Sequence, residues 1–245
     1  MTAFTLKIIA TASMLSDHIG VVFGVPAIFR VIGRIAFPIY AYMIAQGCIH
    51  TKNINKYLLR LGVFAIISEI PYDMVFSHKN ADIDFFTDVS FLSSTNIFYT
   101  LFLGACCIAL YEKLKTLRIG GILPGRGEDG EVALQQKAFS VIAALPPLLA
   151  AYFLDVDYGV FGAGWIFAIY LAGPGNKIAR GLVLAAGAVY IYWMHPIYYL
   201  LCALVPVVCV SLYDGVQGPK AKWAFYAFYP VHLAALAFIG SAIAA

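Results

Sequence analysis

The sequence predicts an all-α, polytopic membrane protein of about nine transmembrane helices with its N-terminus inside. Three observations predict it. Of 245 residues, 62% are hydrophobic and only 12% charged, with mean hydropathy +0.85, whereas an ordinary soluble domain carries about 25% charged residues. The apolar residues form long continuous runs rather than short alternating segments. In lipid only a helix or a closed barrel satisfies every backbone N–H and C=O, so continuous runs favour helices. Finally, basic and acidic connections alternate between successive runs, as they do where a chain crosses a bilayer repeatedly.

Taking about 20 apolar residues per span, the runs fall at roughly 4–23, 28–49, 55–76, 90–112, 137–154, 157–172, 178–194, 196–213 and 223–244. The first contains Lys7 and Ala10-Thr11-Ala12, which together imitate a cleavable signal. The apolar region before that site would be very short and the pattern resumes after it, so it reads as a retained helix. Pro38, Pro71 and Pro230 predict kinks in the second, third and ninth runs, and Pro146-Pro147 a kink or break in the fifth. The sixth and seventh are short and glycine-rich, as tilted, re-entrant or half-spans would be. Gly120 to Gly130 reads as a surface loop. With no internal repeat, residues 1–245 form a single domain.

Lys7, Lys52 and Lys56, the group Lys113, Lys115, Arg118, Arg126 and Lys137, then Lys177 and Arg180, and finally Lys220 and Lys222 mark one side of the membrane. Asp82, Asp84 and Asp88 (with Lys79), then Asp155 and Asp157, mark the other. The basic side is the cytoplasmic one. The net charge of +3, with its basic residues placed between spans, argues topology rather than nucleic-acid binding. Cys48, Cys106, Cys107, Cys202 and Cys209 lie in apolar runs without metal-ligand spacing and read as small core residues.

Rise per residue sets depth. His18 is eleven residues beyond Lys7, about 16 Å, which places it in the outer half. Arg30 and Arg34 start the second run from the outer side. Glu69, Tyr72 and Asp73 end the third there, Asn96 starts the fourth and Asp157 the sixth. His232 is ten residues from Lys222, about 15 Å, near the midplane. Six runs therefore bring polar residues to one layer, ionisable ones in five of them, and ionisable groups inside a membrane mark functional sites. Asp17 and His18 point about 100° apart on a helix, so Asp17 or Glu69 is expected to pair with Arg34 while His18 turns inward. Tyr226, Tyr229 and His232 share a helix face. That face is either an aromatic-lined channel ending at a second imidazole, or packing with a histidine bonded to a neighbouring helix. His50, His78 and His195 fall in loops or turns. The sequence holds no phosphate loop, nucleophile elbow or zinc spacing, and the available chemistry is acid–base by histidine and carboxylate, shielded from water.

Several stretches together resemble a known family: Ser16-Asp17-His18-Ile19-Gly20, Arg30 through Tyr42, His50-Thr51-Lys52-Asn53, Lys56-Tyr57-Leu58-Leu59-Arg60, Phe64 through Asp73, Asn96-Ile97-Phe98, Asp157-Tyr158-Gly159 and Lys222 through Leu233. They resemble the TraX family of conjugative-pilus proteins, densely over 10–104 and again at 155–165 and 220–235. The resemblance implies a multi-pass acetyltransferase of the bacterial inner membrane that acetylates the N-terminus of a mature pilin, with acetyl-CoA as donor. The family is distantly similar to transmembrane acyltransferases that carry acetyl groups from cytosolic acetyl-CoA to acceptors across the membrane. An early-helix histidine is catalytic in those enzymes, which implies that role for His18.

On that implication His18 is the general base, Asp17 or Glu69 orients it, and Asn96 or Arg34 steadies the oxyanion. Lys52, Lys56, Arg60, Lys113, Lys115, Lys177 and Lys222 form a basic inner surface for the nucleotide end of CoA. Its pantetheine arm threads between the second, third and ninth helices, and Arg30, Tyr226, Tyr229 and His232 are assigned to the cosubstrate as well. No metal is expected, and the partners are acetyl-CoA, a pilin or other acceptor, and the bilayer. Two other classes suit the same residues. Charged groups at mid-depth with proline-broken helices fit a proton-coupled transporter, for which inverted halves would be expected and none is visible. A non-catalytic pilin assembly factor is the other.

Overall fold

Helices make up all the regular structure among the described residues of the computed structural model (1–76, 95–116, 134–173 and 175–244), apart from one isolated bridge between Thr95 and Val156. His78, Lys79, Asp82, Asp84, Asp88, Arg118, Arg126, the glycine-rich 120–130 stretch and the expected start of the fourth run at 90–94 lie outside them. The helices are α1 (Ala3–Phe23), α2 (Ile28–Gly33), α3 (Ala36–His50), α4 (Ile54–Phe76), α5 (Ile97–Thr116), α6 (Leu134–Ser140), α7 (Leu145–Phe153), α8 (Gly159–Leu171), α9 (Lys177–Tyr192), α10 (Ile197–Ser211) and α11 (Lys222–Ala244).

Prolines explain where two of the expected spans divide. The second run stops at Gly33 and restarts at Ala36. Pro38 has no N–H for the Arg34 carbonyl, and its ring crowds that carbonyl, so the helix breaks four residues upstream. The fifth run becomes α6, a 3₁₀ turn at Val141–Ala144, and α7, whose first turn carries Pro146 and Pro147. Proline is accepted there because the first-turn N–H groups have no partner within the helix. The chain stays helical through Pro71, Pro206 and Pro230.

Among the described residues, five helices are long and apolar enough to cross a membrane: Ala3–Phe23, Ile28–His50 across its break, Ile97–Thr116, Gln136–Phe153 and Lys222–Ile243. In α4 the charges Lys56, Arg60, Glu69 and Asp73 are spread along the length. Its outer stripe is nonetheless Leu59, Val63, Ile66, Ile67 and Ile70, all exposed, while Leu61, Ala65, Ser68 and Glu69 are buried. An exposed apolar stripe over a polar buried one is what lipid rather than water selects. With 13, 16 and 15 residues, α8, α9 and α10 span roughly 20–24 Å, short of the ~30 Å hydrocarbon core.

Side-chain pairs fix the directions. Phe4 meets Phe225, His18 meets His232 and Val22 faces Gly240, so α1 and α11 run parallel. Phe64 of α4 lies against Phe98 of α5, and Leu58 shares a cavity with Cys106, so those two are antiparallel. The most buried helix is α3, with Phe37, Ile39, Tyr42 and Ala45 nearly inaccessible. Close approach of α5, α8 and α9 depends on absent side chains. A Cβ at Gly104 would press on Ile166, and one at Gly187 would enter the Trp165 ring, the small-residue packing typical of membrane helices. The polar residues Asp17, Arg34, Glu69, Asn96 and Asp157 thereby gather at one end of the bundle, and Lys52, Lys113, Lys177 and Lys222 at the other.

Candidate functional site

The small polar face of α1 packs on α2. The Ser13 hydroxyl donates to the Ile32 carbonyl at 2.6 Å and that of Ser16 to Phe29 at 3.1 Å. One turn further, the Asp17 carboxylate accepts from Nη2 of Arg34 and forms an ion pair with Nε of Arg30 at 3.1 Å. Arg34 Nε also donates to the Arg30 carbonyl at 2.8 Å. One carboxylate thus holds two cations, with Arg34 the more enclosed at 15% side-chain exposure against 38% for Arg30.

The connection from α7 to α8 brings Asp157 beside this cluster. Thr95 and Val156 form the isolated bridge: Thr95 N–H donates to the Asp155 carbonyl at 3.2 Å, and Asp157 N–H to the Thr95 carbonyl at 3.0 Å. Asp155 (φ 44°) and Tyr158 (φ 61°) are both left-handed, a conformation costing about 1–3 kcal/mol for a residue with a side chain. Tyr158 stacks on Phe37 at 3.9 Å, and Asp157 interacts electrostatically with Arg34, Asp17 and Arg30.

His18, the next residue along α1, faces away from the arginine pair onto α11. Its Nδ1 lies 2.6 Å from Nε2 of His232. The rings are 3° from coplanar with centroids 4.9 Å apart. That separation exceeds the N···N distance by about two ring radii, so the contact is an in-plane, edge-to-edge hydrogen bond and not a face-to-face stack. Nδ1 of His232 meets the Phe228 carbonyl at 2.7 Å. Phe76 and Tyr229 present their rings edgewise to His18, at 5.7 and 6.0 Å, and both imidazoles are buried.

A second polar knot joins α4 to the start of α5. The Asn96 amide nitrogen donates to the Ala65 carbonyl at 2.8 Å and to the Glu69 carboxylate, while its oxygen accepts from Phe98 N–H at 3.0 Å. Glu69 and Asn96 are 1% and 0% exposed. The Phe98 ring meets Tyr229 at 5.4 Å, which ties this knot to the histidine pair.

At the opposite end, a cavity of about 620 Å³ opens between the end of α3, the start of α4 and the end of α5. Cys48, Thr51, Lys52, Asn55, Cys106 and Lys113 line it. Its volume is in the range of small-molecule sites. Its walls combine the Lys52 and Lys113 ammonium groups, the Glu112 carboxylate and the apolar side chains of Ile54, Leu58, Ile108 and Leu110; Glu112 is itself paired with Lys115.

The sequence-derived candidates are therefore divided among several places. Asp17 pairs with Arg34, as one of the two expected arrangements had it, and with Arg30, which thus sits far from the cavity and the CoA surface to which it was assigned. Glu69 is bonded to Asn96 and neither pairs with Arg34 nor reaches His18. Asn96 has both amide hydrogens engaged, so it has no donor to offer an oxyanion. The group that touches His18 is His232, assigned beforehand to the cosubstrate. Lys52 lines the cavity. Lys56 begins α4, its N–H capped by Asn53 at 2.9 Å. Arg60 lies over Tyr57, and Lys222 lies over Trp223. Of the two readings of α11, packing is the one observed. Trp223, Phe64, Tyr226, Phe98, Tyr229 and His18 make successive ring contacts 5.1–6.4 Å apart. The sequence reading also missed Arg180, read as a loop residue. It is buried in the first turn of α9, and its Nη1 donates to the Tyr42 hydroxyl at 3.0 Å. Its position four residues after the N-cap Asn176 was the available signal.

Over residues 3–240 the chain matches the family described as TraX protein. It is 29% identical over 259 aligned residues to a protein of Dichelobacter nodosus named "Probable fimbrial assembly protein FimC, serogroup H1", covering 96% of this chain and 94% of that one. No solved structure matches the chain.

Proposed function

The chain belongs to the TraX family, and from that premise we propose that it is a membrane-embedded acetyltransferase of the bacterial inner membrane. It moves an acetyl group from cytosolic acetyl-CoA to an acceptor amine on the outer side, the N-terminus of a pilin subunit. The observation that carries this reading is a buried, hydrogen-bonded His18 at the same end of the bundle as two guanidiniums, with a cavity carrying Lys52 and Lys113 at the other. With the basic end in the cytoplasm, the N-terminus is inside and the His18 layer lies towards the outer face.

In this reading Lys52 and Lys113 meet the phosphates, the Glu112 carboxylate in the same wall is neutralised by Lys115, and Ile108 and Leu110 of α5 follow the pantetheine arm. The arm enters between α3, α4 and α5, and it reaches the outer layer by parting the ring ladder on α11. There the acceptor nitrogen bonds to the acetyl carbon, its proton passes to His18, and the C–S bond breaks. The leaving thiolate then takes the proton back and departs as CoA. Arg34 has five N–H donors and is bonded to Asp17 and the Arg30 carbonyl. It is therefore better suited than Asn96 to steady the oxyanion.

The printed name of the Dichelobacter relative favours a second reading, an assembly factor that holds pilin without modifying it. The two separate on the mass of the pilin recovered from cells with and without this gene. An acetylated N-terminus only when the gene is present supports the transferase. An identical pilin mass in both, with pilus assembly lost, supports the assembly factor.

A further inference from the structure

We propose that His232 is the positioning residue for His18, fixing its tautomer and sharing its proton. This rests on the transferase reading above.

A carbonyl oxygen only accepts, so the 2.7 Å contact with Phe228 places a hydrogen on Nδ1 of His232. A neutral His232 then presents a lone pair at Nε2. The 2.6 Å contact with His18 Nδ1 requires one hydrogen between the two nitrogens, and that hydrogen must belong to His18. Neutral His18 is thereby left with its own lone pair on Nε2, the nitrogen a general base needs. The opposite arrangement, with both nitrogens of His232 protonated, would make His18 accept at Nδ1 and carry its hydrogen on Nε2, where it could not act as a base.

The direction of proton flow follows. When Nε2 of His18 takes the amine proton, the Nδ1–H of the resulting imidazolium is shared with His232 Nε2, and the charge spreads over two rings. A carboxylate does this in a Ser-His-Asp triad. Here the two carboxylates expected to orient His18 are committed elsewhere, Asp17 to Arg30 and Arg34 and Glu69 to Asn96. The helix register supports the same role. Because His232 bonds the carbonyl one turn back on its own helix, its ring is held at both nitrogens, and α1 and α11 run parallel at this depth.

The test uses the full-length protein in nanodiscs, with ¹⁵N-histidine spectra and acetyl-transfer kinetics. The wild type is expected to show His18 as the Nδ1–H tautomer. His232→Leu is expected to shift His18 to the Nε2–H tautomer that free imidazole prefers and to lower kcat about 100-fold or more, with KM for acetyl-CoA unchanged. His232→Gln, whose side-chain oxygen can occupy the position of Nε2, is expected to stay within about 10-fold of wild type. A wild-type His18 protonated on Nε2 overturns the proposal without any variant, should His232→Leu fail to fold. Wild-type kcat in His232→Leu with His18→Ala inactive overturns the proposal and leaves the transferase intact. Wild-type kcat in His18→Ala overturns the transferase reading itself.

Discussion

Asp17 lies directly over Gly33: a Cβ on that glycine would collide with the carboxylate that holds both arginines. The two residues are therefore one feature, a glycine that gives room to a charge.

Gly33→Ala is expected to push Asp17 off its partners and to destabilise the protein by about 1–3 kcal/mol, the usual cost of overpacking. Gly164→Ala provides the control. Its Cβ would meet only Leu148 at 3.8 Å, and alanine is the better helix former. Thermal unfolding in detergent should show a lowered midpoint for the first variant and not for the second. Equal midpoints would mean that α1 and α2 can slide apart to admit the methyl group.

Removing Asp17 leaves two guanidiniums without their anion. Asp17→Ala is expected to cost about 3–5 kcal/mol, in the range for breaking a buried pair. A double-mutant cycle with Arg34→Ala should recover part of that loss, because the orphaned charge is gone. Additive losses would show that the pair contributes little and that the two residues matter separately.

Asn96→Ala is expected to destabilise by about 1–3 kcal/mol by leaving the buried Glu69 carboxylate only the long 3.4 Å bond from the residue-96 N–H, while kcat per folded molecule stays unchanged. Unfolding and turnover measured on one preparation separate these effects. A fall in kcat without loss of stability would return Asn96 to the oxyanion role that its bonding pattern denies it.

At the other end of the bundle, Lys52→Ala with Lys113→Ala is expected to weaken acetyl-CoA binding about 10-fold at low ionic strength, and less at high salt. Calorimetric titration at two salt concentrations reads this directly. Undiminished affinity would place the nucleotide elsewhere, with Arg60 and Lys222 the next residues to change.

Depth was legible in the sequence and azimuth was not. Counting from Lys7 and from Lys222 placed His18 and His232 at similar heights, because rise per residue is fixed. Which way each ring points depends on how α1 and α11 meet, and a 100° step between neighbours sends Asp17 to α2 and His18 to α11. Pro38 announced a disturbance, although the break falls at Arg34, four residues earlier, where the lost hydrogen bond would have ended. The left-handed residues Asp155 and Tyr158 gave no sign, since neither is glycine and their conformation is imposed by pairing with Thr95. The Glu69–Asn96 knot joins residues on separate helices, and spacing along the chain says nothing about such a contact.

The account's central claim is acetyl transfer by His18, and acceptor-dependent release of CoA by the purified protein tests it most directly. With acetyl-CoA and a peptide carrying the pilin N-terminus, the wild type should release CoA and acetylate the peptide. A folded His18→Ala protein should do neither. No release by the wild type, or undiminished release by His18→Ala, would contradict the account.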